Sequence, residues 1–203
     1  MKYLIESPQV EYEPGSNEQV LRNKLGIKTQ EDINEAEAVL LLKLYEKVFN
    51  QVGRTELSFQ HICDWHRQWL GPLYEWAGRL RSVNMSKGGF PFAAASNLPQ
   101  LVTQFEKDFL TNFNQISLLD ERALVSFLAG SHVEFILIHP FREGNGRISR
   151  LLMDVMCSEA NRGPLDYSLF ERHKEFYFKS IQAGVNADYV HLEKLIRDTL
   201  LES

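Results

Sequence analysis

The 203-residue sequence predicts an all-α protein with one short β-hairpin. Three observations indicate this fold class. Apolar residues recur at helical spacing through most of the chain, and the segment RALVSFLAGSHVEFILI is apolar on nearly every side. In contrast, the segment around Gly88-Gly89 loses helical periodicity and continues as Phe90-Pro91-Phe92, which is typical of a hairpin or flap.

The chain is expected to begin with an irregular arm, residues 1–30, packed on the body, because this segment is polar and interrupted by prolines and glycines. Residues 31–203 are then expected to form a single domain. Thr29 is placed to cap the first helix, whose acidic first turn suits the helix dipole. We interpret the acidic residues of this helix, including Glu35 and Glu37, as a solvated face.

A second helix is predicted to start at Ser58, which is a favourable N-cap residue, and to end where Gly71-Pro72 interrupts the pattern. Its aromatic residues are interpreted as core. His61 and His66 are five positions apart, whereas two imidazoles aimed at one metal from a helix are usually four apart. Both histidines are therefore interpreted as packing residues.

Helical spacing returns after the flap and predicts one helix from Ser96 to about Ile116, followed by the apolar central helix. Proline disfavours helical geometry in the residue before it, so His139, followed by Pro140, is expected at the exit of the central helix. Another helix is predicted to begin near Asn145. A final helical region, about Leu169 to Leu201, closes the chain.

Composition restricts the class of protein. Hydrophobic residues make up 44% and charged residues 24%, as in globular domains, and the formal charge of −5 gives no overall attraction to nucleic acid or to an anionic membrane. Cys63 and Cys157 lack CxxC spacing and are interpreted as core thiols. With no signal-like start and no spanning apolar run, a cytoplasmic protein is expected, with neither membrane nor direct nucleic-acid partners.

Polar chemistry is concentrated in HPFREGNGRISR, residues 139–150, directly after the central helix. Glycines on both sides of Asn145 free the backbone to turn its N–H groups inward at the start of a helix, an arrangement that binds phosphate. Arg147 and Arg150 are three positions apart on that helix, where we expect them to share one face and to bind phosphate oxygens. The stretch therefore predicts a polyphosphate site.

Two further residues of the stretch carry reactive side chains. Glu143 directly precedes the glycines, and a carboxylate beside phosphates is explained if Mg²⁺ lies between them, since this ion typically takes one or two carboxylates plus phosphate oxygens. His139 is held by the helix end and Pro140, and an ordinary imidazole pKa of about 6.5 suits proton removal at neutral pH. We interpret His139 as a general base and Glu143 as a metal ligand.

The same stretch matches the HPFx(D/E)GNGRxxR signature of the Fic (filamentation induced by cAMP) family, within the Fic/Doc superfamily, at every specified position. Three other segments also resemble this family. YEPGSNEQVLRNKLGI is similar to its usual entry, LYEWAGRLRSVNMSKGGFPFA to the segment leading into its flap, and FYFKSIQAGVNADYVHLEKLI to its closing helices. The resemblance therefore covers nearly the whole chain.

This resemblance implies a Fic-fold helical bundle and a protein adenylyltransferase of the cell filamentation protein type. Such an enzyme transfers AMP from ATP to a Ser, Thr or Tyr hydroxyl of a target protein and releases pyrophosphate. His139 would accept the hydroxyl proton, and Glu143 would hold Mg²⁺ on the α and β phosphates. The flap, about residues 82–95, would pair with an extended segment of the target and border the nucleotide.

The resemblance also implies which residues bind the nucleotide. Amides around Asn145 would form an anion hole, and the two arginines of the motif would hold the outer phosphates. The implied set comprises Glu143, Gly144, Asn145, Gly146, Arg147 and Arg150 in the motif, Lys87, Gly88, Gly89 and Phe90 in the flap, and Gln182 beside the adenine.

Alternative functions stay open at this point. Doc relatives replace the second glycine of the motif with lysine, bind the nucleotide in the inverted orientation and transfer phosphate. Gly146 is intact here, which favours AMP transfer over phosphate transfer. Transfer of another nucleoside monophosphate stays open. A catalytically silent binding module is a further alternative, although such a module would not need a general base. Neither Ser7–Glu11 nor Ser117–Glu121 completes the family's inhibitory (S/T)xxxE(G/N) motif, so we expect control by a separate small antitoxin protein.

Overall fold

The computed structural model describes residues 11–50 and 56–202, so residues 1–10 of the predicted arm lie outside the described residues. The predicted all-α class is confirmed. The helices are α1 (Gln30–Asn50), α2 (Phe59–Leu70), α3 (Leu98–Phe105), α4 (Glu121–Ile138), α5 (Asn145–Glu159), α6 (Ser168–Arg172), α7 (Lys174–Ala183) and α8 (Val190–Glu202). One antiparallel hairpin, β1 (Ser86–Lys87) and β2 (Phe90–Pro91), forms the flap.

Helix α4 lies at the centre and packs against α3, α5, α7 and α8. The Asp120 carboxylate caps its start by accepting a hydrogen bond from the Ala123 amide at 2.8 Å. Its last residue is Ile138, and His139 follows in the left-handed conformation with φ of 50°. The predicted exit of the central helix at His139 is therefore confirmed, and α5 begins at the predicted Asn145.

The flap is the predicted hairpin. Ser86 pairs with Pro91 and Lys87 with Phe90, and Gly88 and Gly89 form the turn between them. Both glycines have positive φ, 57° and 81°, which a two-residue turn between twisted strands requires and which side chains disfavour.

The predicted helix from Ser96 to Ile116 is wrong in its continuity. Helix α3 ends at Phe105, and one turn of π-helix (Glu106–Leu110) and a 3₁₀ segment (Phe113–Leu118) follow it. The Thr111 amide and hydroxyl both donate to the Glu106 carbonyl, at 2.9 and 3.1 Å, which widens the turn. The Glu106 carboxylate accepts from the Phe59 amide at 2.5 Å and thereby caps α2.

The predicted closing helical region comprises three helices, α6 to α8. Gly184 ends α7 against α4, where a Cβ atom would lie 2.1 Å from Cγ1 of Val133. Ala187 then adopts φ of 55°, and the Asp188 carboxylate accepts from the Val190 amide at 3.2 Å at the start of α8. Close helix packing therefore interrupts a region whose apolar spacing is continuous.

Residues 11–29 are irregular and lie against the helices: Val20 is buried, and the Lys24 amide donates to the Leu73 carbonyl at 2.8 Å. The predicted cap of α1 is confirmed, since the Thr29 hydroxyl accepts from the Asp32 amide at 3.1 Å. In the described ranges, 11–50 and 56–202, no helix has the length and apolar character that crossing a bilayer requires.

Candidate functional site

The loop between α4 and α5, residues 139–144, is closed by the side chain of Asn145. The Asn145 carboxamide accepts from the Phe141 amide at 2.8 Å and donates to the Phe141 carbonyl at 2.7 Å. Asn145 is buried in this role. Its side chain therefore shapes the loop, and any contact with an anion has to come from its backbone.

His66 holds the same loop from α2. Its Nδ1 accepts from the Gly78 amide at 2.8 Å, so Nε2 carries the proton and donates to the Glu143 carbonyl at 3.1 Å. The ring stacks on Phe141 with centroids 4.0 Å apart. Burial lowers the pKa of His66 to about 4, which keeps the ring neutral at pH 7. The packing interpretation is confirmed for His66, and the hydrogen bond to the loop adds to it. It is wrong for His61, which is exposed and whose Nδ1 accepts from the Ser58 amide at 3.0 Å at the start of α2.

Arg81 bonds to three carbonyls at the end of α4 and the start of the loop. The carbonyls of Ile138 and His139 accept from its guanidinium, and the Pro140 carbonyl accepts from its amide. The first N–H groups of α5 have no carbonyl partner within the helix, so its first turn can present them to a ligand. Gly146, in that turn, lines a cavity.

The His139 side chain is arranged as a proton acceptor. Its Nδ1 lies 3.3 Å from the Ile136 carbonyl, which assigns the proton to Nδ1 and leaves a lone pair on Nε2. The ring stacks on Phe92 with centroids 3.7 Å apart and planes within 8°. Burial lowers the pKa of His139 to about 4, and the nearby positive charges of Arg81 and Lys87 act in the same direction. The imidazole is therefore neutral at pH 7.

A cavity of about 670 Å³ opens beside His139, between the flap, the motif and helices α6 and α7. This volume is typical of sites for small-molecule ligands. Its lining combines aromatic and apolar side chains with three cations and one carboxylate. The lining residues are Lys87, Gly88, Phe90, Phe92, Ile136, His139, Gly146, Arg150, Phe170, Glu171, Lys174, Tyr177, Phe178, Ile181 and Gln182.

Seven of the sequence-predicted site residues line this one cavity: Lys87, Gly88, Phe90, His139, Gly146, Arg150 and Gln182. The other five, Gly89, Glu143, Gly144, Asn145 and Arg147, do not line it. Gly89 is in the flap turn, Gly144 packs against Trp69, and the Asn145 side chain closes the loop. The Glu143 side chain is 45% exposed, and its carboxylate accepts from the Gly144 amide at 2.9 Å.

The two arginines of the motif do not share one face. Arg150 lines the cavity, whereas the Arg147 guanidinium lies over the Trp69 ring, 4.5 Å from its centroid, and contacts a carboxylate of Glu37 on α1 at 2.6 Å. The interpretation of Glu37 as solvated is wrong. This residue is buried, and its other carboxylate oxygen accepts from the Tyr74 hydroxyl at 2.8 Å.

The family assignment follows from a comparison of the whole sequence with family models. The model described as the Fic/DOC family matches residues 56–157, half of the chain, including the flap and the motif. The chain belongs to the Fic/DOC family.

Two curated relatives of this Fic protein are named as adenylyltransferases. Protein adenylyltransferase VbhT from Bartonella schoenbuchensis is 32% identical over 189 residues, covering 90% of this chain and 37% of VbhT. The probable protein adenylyltransferase Fic from Escherichia coli K12 is 25% identical, covering 91% of this chain and 89% of that protein. These names bear out the predicted enzyme class, a nucleotidyltransferase.

Solved structures confirm the fold of this Fic protein. BepC, a VirB-translocated effector protein from Bartonella tribocorum, superposes with a TM-score of 0.77 at 21% identity, covering 95% of this chain and 96% of BepC. The N-terminal Fic domain of a cell filamentation protein from Bartonella quintana superposes with a TM-score of 0.73 at 21% identity, covering 89% and 90% of the two chains.

Sequence reasoning missed the two charged cavity residues of this Fic protein that lie outside the predicted set, Glu171 and Lys174. The Glu171 carboxylate lies 2.6 Å from the Arg150 guanidinium, whose hydrogen bond and positive charge lower the pKa of Glu171. No motif marks either residue, because both enter the site only when α6 and α7 fold over it. For Glu37 a signal exists: it lies four positions after the buried Ile33 and seven before the buried Leu44, in register with the apolar stripe.

The ion pair between Glu37 and Arg147 leads to a stability prediction for this Fic protein. Glu37→Ala should lower the free energy of unfolding by about 2 kcal/mol, because it leaves a guanidinium partly buried and the Tyr74 hydroxyl without its acceptor. This value lies below the usual range for buried pairs because the Arg147 side chain is 34% exposed. Urea unfolding measures the change.

Glu35→Ala, at an exposed acid on the same helix, is the matched control and should alter the free energy of unfolding by less than about 0.5 kcal/mol. Equal stabilities of the two variants would contradict a structural role for the ion pair.

Proposed function

We propose that this Fic protein is a protein adenylyltransferase that transfers AMP from ATP to a Ser, Thr or Tyr hydroxyl of a target protein. One observation carries the proposal: a neutral imidazole with a free acceptor nitrogen lines the same cavity as the first turn of α5 and the Arg150 guanidinium. The bound nucleotides of two structural relatives support it, since the BepC structure holds AMPPNP and a Bartonella quintana Fic domain holds ADP.

The cavity lining offers two chemically different kinds of surface. Tyr177, Phe178 and Ile181 offer an apolar, aromatic surface for the adenine, with Gln182 as a polar partner. The first turn of α5 and Arg150 offer amide donors and positive charge for the triphosphate. An outer phosphate bound to Arg150 takes the place of the Glu171 carboxylate, which contacts that guanidinium in the structure.

In the transfer step, Nε2 of His139 accepts the proton of the target hydroxyl. The hydroxyl oxygen bonds to the α-phosphorus, and the bond from that phosphorus to the bridging oxygen of the β-phosphate breaks. Pyrophosphate leaves with that electron pair, and AMP stays on the target as a phosphodiester. The hydrogen bond from Nδ1 to the Ile136 carbonyl and the stack on Phe92 hold the ring during this step.

The residues present fit a magnesium ion that binds together with the nucleotide. Within residues 11–50 and 56–202, no cluster of three acidic, histidine or cysteine side chains forms a metal site of its own. Mg²⁺ needs only one or two carboxylates when phosphate oxygens supply further ligands, and Glu143 offers one, partly exposed, directly before α5. Glu143 would hold the ion, which when bound supplies positive charge to the phosphates.

The flap fits an extended target segment. The strands β1 and β2 are two residues each and largely exposed, so a strand of the target has access to their backbone groups. Lys87, Gly88 and Phe90 also line the nucleotide cavity. A target hydroxyl carried along the flap is thereby brought to the side of the cavity where His139 lies.

We further propose that the protein acts in the cytoplasm, where ATP is available, and that a separate antitoxin protein controls it. Its support is the sequence of the described part of the chain, in which Ser117–Glu121 continues with Arg122 and so does not complete the inhibitory motif. In the structure Arg150 pairs with Glu171 of α6, outside any such motif.

Incubation of the protein with Mg²⁺, a cell lysate and ATP labelled at either the α or the γ position tests the proposed function. AMP transfer puts the α label on a target protein, and intact-mass analysis shows the addition of one AMP. The alternative of phosphate transfer predicts the γ label instead, and GTP or UTP competing better than ATP would indicate another nucleoside monophosphate. A silent binding module predicts no label in either case.

As the pH is lowered, the rate of AMP transfer should begin to fall only at an unusually low pH. Because burial lowers the pKa of His139 to about 4, the imidazole stays able to accept a proton at pH values below its ordinary pKa of about 6.5 and loses this ability as the pH falls through about 4. The kcat/KM, which reports ionisation of the free enzyme, should therefore be constant from about pH 7.5 to 5.5 and fall below about pH 5.

Phe92→Ala is the control for this pH dependence, because it uncovers one face of the His139 ring to water. The acid limb of this variant should move up toward the ordinary histidine pKa of about 6.5. A limb at about 6.5 in the unchanged protein would contradict the buried, neutral imidazole.

A further inference from the structure

Arg81 is a buried cation at the junction of the flap and α4, with 2% of its surface exposed. Its guanidinium donates to the carbonyls of His139 at 2.6 Å, Val83 at 2.6 Å, Ala93 at 2.5 Å and Ile138 at 3.2 Å. Every one of these acceptors is a backbone carbonyl. The planar fork of the guanidinium suits this arrangement, because it presents donors in several fixed directions at once.

These acceptors come from two different elements. Ile138 and His139 are at the C-terminal end of α4, where unpaired carbonyls concentrate negative partial charge and favour a cation. Val83 and Ala93 are on the two chain segments that enter and leave the flap. The Ala93 amide also donates to the Leu137 carbonyl at 3.1 Å. Both ends of the flap are therefore fixed to the end of the central helix.

The same contacts determine where the His139 ring lies. His139 adopts a left-handed backbone conformation, which is unfavourable for a residue with a side chain, and its carbonyl is bonded to Arg81. Phe92, the neighbour of Ala93, covers the ring at 3.7 Å. The Arg81 side chain therefore bonds to the backbone of His139 and also to the backbone of Ala93. Ala93 is next to Phe92, whose ring stacks on the His139 ring.

We propose that Arg81 is a positioning residue that holds the flap and the His139 imidazole in one fixed arrangement, so that a hydroxyl carried along the flap meets the base. The effect on transfer rests on the proposed function, whereas the coupling of the flap to His139 through Arg81 is a property of the fold. Arg81 lies outside the lining of the nucleotide cavity. Its loss should therefore affect transfer to the target more than binding of ATP.

Arg81→Lys tests the coupling, because an ammonium group keeps the charge but lacks the fork that reaches four carbonyls. The readout is the ¹H NMR signals of the histidine rings, with those of His139 identified by their loss in His139→Gln. We expect the His139 signals to lose the ring-current shift from Phe92, while those of the buried His66 and His132 stay unchanged. Arg79→Lys, at an exposed arginine two residues earlier, should leave all three unchanged.

The activity of Arg81→Lys provides a second readout. Transfer of AMP to the target should fall by about 10²-fold, the loss expected for a displacement of about 1 Å between reacting groups, while ATP affinity measured by calorimetry changes less than about 2-fold. If the unchanged protein labels no target with ATP, the proposed function fails, whereas the NMR readout still decides whether Arg81 couples the flap to His139.

Two outcomes of the NMR experiment would overturn the proposal. Unchanged His139 signals in Arg81→Lys would show that the flap and the ring do not depend on Arg81. A shift of the His66 and His132 signals together with those of His139 would show a general role in stability instead.

Hydrogen exchange of the unchanged protein keeps the proposal testable if Arg81→Lys does not fold. The amides of Ala93 and His139, which donate to the carbonyls of Leu137 and Phe135, should exchange through one shared opening with similar protection. Much faster exchange at Ala93 than at His139 would mean that the flap opens independently of the end of α4, and the proposal would be wrong.

Discussion

His139→Ala is expected to reduce AMP transfer by about 10²- to 10⁴-fold, the usual contribution of a positioned general base. The variant should still bind ATP with Mg²⁺, because the amides of α5, Arg150 and the aromatic side chains of α7 stay in place. The loss should thus appear in kcat with little change in nucleotide affinity. Transfer of label from α-labelled ATP and calorimetry with ATP measure the two quantities separately.

Arg150→Ala complements His139→Ala, because it should affect nucleotide binding instead of proton transfer. It removes the only motif arginine that lines the cavity while leaving His139 and its contacts unchanged, so ATP binding should weaken. Full transfer activity of His139→Ala would remove this residue from the mechanism, and unchanged ATP affinity of Arg150→Ala would remove the phosphate contact. Together the two variants separate proton transfer from nucleotide binding.

Gly144→Ala is expected to destabilise the whole protein. Gly144 has φ of 78°, and a left-handed conformation costs a residue with a Cβ atom about 1–2 kcal/mol. That Cβ would also lie 2.5 Å from Cζ3 of Trp69, a fully buried ring whose Nε1 donates to the Glu37 carbonyl. With about 1–3 kcal/mol for overpacking, the free energy of unfolding should fall by about 2–5 kcal/mol in urea unfolding.

Gly146→Ala is the control for Gly144→Ala: it should leave stability unchanged but weaken ATP binding. Nothing lies within 4 Å of a Cβ atom at Gly146, and the position is in the first turn of α5, so stability should not fall. The added methyl group points into open space where Gly146 lines the cavity, so ATP affinity should decrease. Equal stabilities of the two alanine variants would contradict the packing of the motif against Trp69.

Local pattern accounts for most of the fold. Thr29 caps α1, Gly88-Gly89 turns the flap, and α4 ends before Pro140, each as the neighbouring residues predict. Local pattern is insufficient where contacts between distant segments intervene. At the break after Phe105 the Glu106 carboxylate accepts from the Phe59 amide, 47 positions away, and at Gly184 the chain packs closely against Val133 of another helix.

In the functional site, too, residues of one continuous motif were predictable from the sequence, whereas their distant partners were not. The motif identifies His139, Gly146 and Arg150 because each belongs to one continuous stretch whose chemistry is readable by itself. The partners that arrange these residues come from elsewhere: Arg81 precedes the flap, and Glu171 is on α6. Their distance along the chain leaves no spacing to interpret, so only the folded structure identifies them.

A crystal structure with Mg²⁺ and a non-hydrolysable ATP analogue would locate the nucleotide relative to His139. We expect the triphosphate at the first turn of α5 with an outer phosphate on Arg150, the adenine between the flap and α7, and the α-phosphorus as the phosphorus closest to Nε2 of His139. A γ-phosphorus at that position, as phosphate transfer requires, or a nucleotide bound outside this cavity would contradict the proposed function.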